Sequence, residues 1–189
     1  MPQNCDVALK EWDAVRSALC DGVQIMLIRK GGIHESHQQL RFEHDAFWIY
    51  PSFEHQRPDQ LKPLHARRLC AGSDDEPVLS IDTLCTVHQV LLLDPPLRLR
   101  QLEPFHIYAS PLIEMRLAYK PDRPLHLVLV RAYLLGKPHR IALSAAYGGC
   151  RSWVPLAEPL STAGLETALD DQTFLRQVGE IQDALRIGD

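Results

Sequence analysis

Residues Leu125 to Leu135 (LHLVLVRAYLL) are apolar at nearly every position, and this run limits the fold more than any other stretch of the chain. It is too short for a membrane span, rich in strand formers and followed by Gly136-Lys137-Pro138, so it predicts a buried β-strand with Arg131 inside it. The Gly-Lys-Pro segment predicts a turn, with Ile141 to Ala145 as the hairpin partner. A second long apolar segment, Val78 to Leu93, is broken by Asp82 and His88 and predicts one long strand or two short ones, ended by Asp94-Pro95-Pro96. Val23 to Ile28, stopped by Gly31-Gly32, and Phe47 to Tyr50, stopped by Pro51, add two shorter strands.

Helical periodicity is confined to the ends and one internal segment. Ala8, Trp12, Val15 and Leu19 fall on one stripe, which predicts a helix over 7–21 with Gly22 as its stop, Trp12 in the core and Lys10 and Glu11 on the solvated face. Ser110-Pro111 predicts a helix start, with the serine hydroxyl as N-cap, running to about Tyr119. Phe174, Val178, Ile181 and Leu185 form the apolar face of a final helix over 171–186, capped by Asp170 or Asp171. Pro58 can open a helix in 57–69, but Pro63 keeps it short. The sum is an α+β single domain over 1–189, with a mixed or antiparallel sheet, an N-terminal and a C-terminal helix, and a possible subdomain boundary at the polar loop 71–77.

The chain has 189 residues and a net charge of −4, which argues against a general nucleic-acid coat. The charge is uneven: residues 95–150 carry eight Lys or Arg against three acids, whereas 151–189 carry three basic side chains against seven acidic ones. The two segments can pair, or the first can offer a basic surface to phosphate. No apolar run reaches a membrane span and the first residues lack a signal pattern. The five cysteines are scattered without a Cys-x-x-Cys, which fits reduced thiols and a cytoplasmic setting.

Chemistry is densest in the amino-terminal third. Arg29-Lys30-Gly31-Gly32 follows a predicted strand, so its amides and cations suit phosphate or carboxylate, or form a tight turn with a positive shoulder. It lacks the ending of a P-loop. His34, His37, His44, His55 and His65, with Glu35 and Glu43 among them, include the donors that zinc or manganese needs, without a diagnostic spacing. Glu35, His44 and His55 are the candidates for proton transfer. A two-metal nuclease set and a Gly-x-Ser-x-Gly elbow are both missing. Arg116, Lys120 and Arg131 sit in or beside apolar elements, where each is either ion-paired, with Glu11 or Glu114 as partner, or aimed at a substrate anion. Gly148-Gly149-Cys150-Arg151-Ser152-Trp153 either exposes an activated thiol, with His55 or His139 as base, or forms a turn whose Trp plugs the core.

Ala8 to Trp12, Arg29 to Ile33 with Glu35, Phe47 to Pro51 with His55-Gln56, then Arg116, Tyr119-Lys120-Pro121, Pro124-Leu125, Gly149-Cys150 and Ser152-Trp153 together resemble a bacterial family of unknown function, number 1802 in the domain-of-unknown-function series. The order and spacing hold over nearly the whole chain. Ser52 stands where the family pattern leads to Thr, and Tyr108 where it leads to Trp. The resemblance implies a single-domain bacterial protein and carries no activity with it.

The leading expectation is a protein that handles a phosphate-bearing ligand, a nucleotide or nucleic acid, with Arg29, Lys30, Arg116, Lys120 and Arg131 on the anion and no resident metal. Two other expectations stand beside it: a non-catalytic binding or scaffold module, whose polar motifs are internal ion pairs, and a metal-dependent hydrolase.

Overall fold

The computed structural model describes residues 1–31, 33–36, 39–54, 56–69, 77–94, 96–149 and 151–186, with backbone alone at 34–36 and 39–40. In chain order the elements are β1 (Asn4–Trp12), α1 (Asp13–Cys20), β2 (Met26–Arg29), β3 (Ile33–Ser36), β4 (Gln39–Phe42), β5 (Ala46–Ser52), β6 (Val78–Leu93), α2 (Ser110–Ala118), β7 (Leu125–Ala142), β8 (Trp153–Ser161), β9 (Leu165–Thr167) and α3 (Asp171–Arg186). Short 3-10 turns cover Pro58–Gln60, Pro63–Arg68, Pro96–Phe105 and Ala145–Tyr147.

The expected α+β class is the one observed, built on one seven-stranded mixed sheet in the order β2-β7-β6-β5-β1-β8, with β9 beside β2 on the free edge of β7. The single parallel pair is β1 with β5; β3 and β4 form a separate hairpin. Among the described residues no helix is long and apolar enough to cross a membrane. The suggested boundary at 71–77 falls almost wholly on residues outside those described.

The first predicted helix is half strand. Residues 4–12 lie between β5 and β8 and alternate in burial, so Cys5, Val7, Leu9 and Glu11 face inward, and only 13–20 are helical. Sheet hydrogen bonds on both sides outweigh the helical spacing of Ala8 and Trp12. The expected stop holds: Gly22 has φ +65°, and the amides of Gly22 and Val23 donate to the carbonyls of Leu19 and Ala18. Pro51 does not end β5. It continues against β1 opposite Glu11, beyond the last residue of β5 that pairs with β6.

The second correction concerns the expected hairpin. β7 runs straight through Gly136-Lys137-Pro138 to Ala142, and its partner is β6 along their whole length. The turn-forming residues are absorbed in an irregularity between Leu134 and His139, opposite Asp82. A second bulge sits at His88. The two polar interruptions of the β6 sequence are therefore the two places where its ladder slips. The Asp82 bulge receives Arg16 of α1 at 3.2 Å, and the His88 ring meets Phe174 of α3 edge-on at 5.2 Å. α3 spans the predicted residues, and the Thr173 amide donates to Asp170 at 2.8 Å, which also draws the Asp170 pKa down. α2 begins one residue earlier than expected, with Ala109 rather than Ser110 at the cap.

Candidate functional site

The end of β2 and the end of α2 come together because β2 pairs with the start of β7, the strand that α2 leads into. Arg29 is the last residue of β2 and lies opposite His126. Its guanidinium is 12% exposed and pairs with Glu11, 5% exposed, at 3.6 Å. The Trp12 amide donates to the same carboxylate at 3.1 Å. Burial pushes the Arg29 pKa down, Glu11 works against that, and the Arg116 charge adds to the lowering. An arginine stays cationic under such shifts, so a buried positive charge persists here. Glu11, expected on a solvated helix face, is thus a buried strand carboxylate. Tyr108 completes the cluster: burial, then the Glu11 charge, hold its hydroxyl protonated.

Lys30 turns away from Arg29 and closes the end of α2. Its ammonium donates to the carbonyls of Leu117 (3.0 Å), Tyr119 (2.7 Å) and Lys120 (3.4 Å). These carbonyls lie at the negative end of the helix, where a cation is favoured. Beyond the helix Lys120 takes φ +46°, the Arg123 amide donates to the Lys120 carbonyl at 3.0 Å, and the Lys120 ammonium lies 4.8 Å from the Tyr119 ring centre.

Between these segments and the start of β8 is a cleft of about 500 Å³. One wall is Ile28 to Gly31, the second is Arg116, Tyr119, Lys120, Arg123 and Leu125, and the third is Glu43, Ser152 and Trp153. Five cationic side chains therefore face one carboxylate among the described residues. Among the described residues Arg116, Lys120, Arg123 and Glu43 take part in no ion pair. Trp153 is half-buried and wedged by Phe42 (5.0 Å between ring centres), Phe47 (5.2 Å) and His44 (4.7 Å), none of them parallel to the indole. The β3–β4 hairpin springs from this cleft, leaving after Gly31 and returning just before Glu43.

Of the five anion-binding candidates, Arg29, Lys30, Arg116 and Lys120 meet in this cleft. Arg131 does not. It sits under the start of α3, bonded to the Asp171 carboxylate and 5.3 Å from the Phe174 ring centre. Neither acid expected to pair with it does so: Glu11 holds Arg29, and Glu114 holds Arg100 at 2.7 Å. His44 borders the cleft through its contact with Trp153. The backbone of Glu35 lies in β3 opposite Leu40, while its side chain, like His55 and Cys150, is outside the described residues. Glu43, Arg123 and Ser152 join the cleft although none is an anion-site candidate from the sequence: Glu43 stands among the clustered histidines, Ser152 in the Gly148 to Trp153 stretch, and Arg123 in the basic segment 95–150. Trp153, read as a core plug, plugs the core with one side and lines the cleft with the other. Among the described residues no three His, Cys, Asp or Glu side chains gather closely enough to hold a metal ion.

The model of a family described as "Domain of unknown function (DUF1802)" matches residues 8–180. No curated protein matches the sequence. Among solved structures the chain is similar to ASCH from Zymomonas mobilis, with 10% identity over 92% of this chain and 93% of that one and a TM-score of 0.47. A point mutant of that protein aligns over 95% of this chain and 99% of its own, with 11% identity and a TM-score of 0.44. At these values the likeness carries no inference about what this chain does.

Proposed function

The chain belongs to the DUF1802 family, and we propose that its basic cleft binds a phosphate-bearing ligand, a nucleotide or a nucleic-acid strand. The observation that carries this reading is the convergence of five cations on a cleft that, among the described residues, holds one carboxylate. Arg116, Lys120 and Arg123 face a cleft of about 500 Å³ and, among the described residues, pair with no carboxylate. Like charges gathered in one concavity repel one another, and a bound anion removes that cost. A volume of this size suits a small ligand.

The roles divide by environment. Arg29 and Lys30 have internal partners, Glu11 and the end of α2, so they shape the cleft and contribute a fixed positive field. Arg116, Lys120 and Arg123 are left to contact phosphate oxygens directly, the arginines through their paired N–H donors. Tyr119 and Trp153 bring flat apolar surface beside the cations, the combination that binds bases stacked next to a phosphate backbone.

Titration of a short single-stranded oligonucleotide at several salt concentrations tests the reading. Affinity is expected to fall as salt rises, by about 0.7 in log–log slope for each phosphate neutralised. The double substitution Lys120→Glu and Arg123→Glu should weaken binding and flatten that slope. Arg140→Glu, an exposed position of the same basic segment but outside the cleft, should change neither. Binding that ignores the cleft double substitution, or that responds equally to Arg140→Glu, refutes it.

A further inference from the structure

A carboxylate is out of place in a cleft made for phosphate, and among the described residues Glu43 is the one carboxylate in this one. It lies between Phe42 and His44, both packed on Trp153. It is exposed and has no hydrogen-bond or ion-pair partner among the described residues, so none of them accounts for its placement. A carboxylate only accepts hydrogen bonds, and it repels any acceptor brought against it. A ligand that fits the whole cleft must therefore carry negative charge at one end and N–H donors at the other. It must also offer a flat apolar face to the aromatic wall between them.

Resting on the phosphate-binding reading above, we infer that the ligand is a guanine nucleotide or a guanine-bearing strand end. Its base lies along Trp153, its ring N–H and exocyclic amine meet the two oxygens of Glu43, and its phosphate meets Arg116, Lys120 and Arg123. Among the common bases only guanine presents two adjacent N–H donors with the parallel geometry that a carboxylate accepts. Adenine and cytosine set a ring acceptor beside their amine, and uracil sets carbonyls on both sides of its single N–H, so each of these would place an acceptor against Glu43. Hypoxanthine keeps the ring N–H and loses the amine.

Calorimetric titration of GMP, IMP, AMP and inorganic phosphate against the wild type and Glu43→Gln, at one fixed salt concentration, separates the two levels of the argument. GMP is expected to bind about tenfold more tightly than IMP, as a paired donor contact discriminates, with AMP no tighter than IMP. Glu43→Gln should bring GMP down to the IMP level while inorganic phosphate binds as well as before or better, since a negative charge has been removed. Glu43 is exposed, so the variant keeps the fold. Equal binding of GMP and IMP to the wild type, or a preference that survives Glu43→Gln, overturns the guanine inference and leaves phosphate binding standing. Failure of all four compounds to bind overturns both.

Discussion

Glu11→Gln is the most direct test of how the charged cluster is held in place. The substitution keeps shape and a hydrogen-bonding oxygen for the Trp12 amide but removes the one counter-charge that Arg29 has among the described residues. At 3.6 Å and an effective dielectric of about 20, the lost attraction is roughly 4–5 kcal/mol. Some of it returns because a neutral amide is easier to bury, so the net cost should be about 3 kcal/mol, in line with other broken buried pairs. That is a large part of the 5–15 kcal/mol typical of a folded protein, and it should lower the melting temperature by roughly 6–12 °C for a chain of this size. Urea unfolding followed by circular dichroism measures it. The companion variant Glu11→Gln with Arg29→Met should be less destabilised than Glu11→Gln alone, because it removes the stranded charge as well. Inorganic phosphate should recover more stability in Glu11→Gln than in the wild type, since an anion in the cleft replaces the missing charge. A loss below about 1 kcal/mol, or a double variant worse than the single one, would show that the pair is solvated and that the burial argument is wrong.

Three further outcomes follow from single contacts. Lys30→Met removes the ammonium that bonds three carbonyls at the end of α2, of which that of Lys120 keeps the Arg123 amide, and should cost about 2 kcal/mol, read by the same denaturation. Gly22→Ala meets both a positive φ and a Cβ that would lie 2.3 Å from Leu169 Cδ2, so a loss of about 2 kcal/mol or more is expected; an unchanged melting point would refute the left-handed turn. Burial, with Lys62 nearby, pushes the His106 pKa down to about 4 from the ordinary 6.5. Between those values the unfolded chain holds a proton that the folded chain lacks, so stability rises with pH across this window and falls as pH drops through it, by about 3 kcal/mol at its lower end. His106→Gln should flatten that slope relative to the wild type, and a parallel pH profile for the two would exclude His106 as its source.

The sequence carried the local features of the fold well. Phe174, Val178 and Ile181 placed α3, and Leu125 to Leu135 placed the middle of the sheet, because each is a long segment whose spacing has one reading. Asp82 and His88, the breaks in the apolar run 78–93, fall at the two slips of a single long β6. Residues 7–12 misled because Ala8 and Trp12 fit a helix stripe as readily as the alternation of Val7, Leu9 and Glu11 fits a strand. Only the flanking β5 and β8 decide between them. Gly136-Lys137-Pro138 misled for a related reason: a turn signal and a bulge signal use the same residues, and the choice is made by β6 continuing alongside.

The same limit governed the candidate site, and it explains which of the expected cations meet in one cleft and which does not. Arg29 and Lys30 were marked by the glycines that follow them, and Arg116 and Lys120 by their place around a helix end, so local chemistry reached all four. Arg131 has equally suggestive local surroundings, an arginine in an apolar strand, yet its partner Asp171 lies 40 residues later at the start of another helix. Whether a cation in an apolar element is consumed by an ion pair or left facing a cleft is settled by long-range pairing, not by its neighbours in sequence. β7 sends Arg131 to α3, while its pairing with β2 brings Arg29 and Lys30 to the end of α2. Among the described residues the sheet thus leaves Arg116, Lys120 and Arg123 without an ion pair while Arg131 has one. Folding stability would favour a partner for each of them. Among the described residues none is supplied to these three, and that long-range outcome is what the proposed anion ligand rests on.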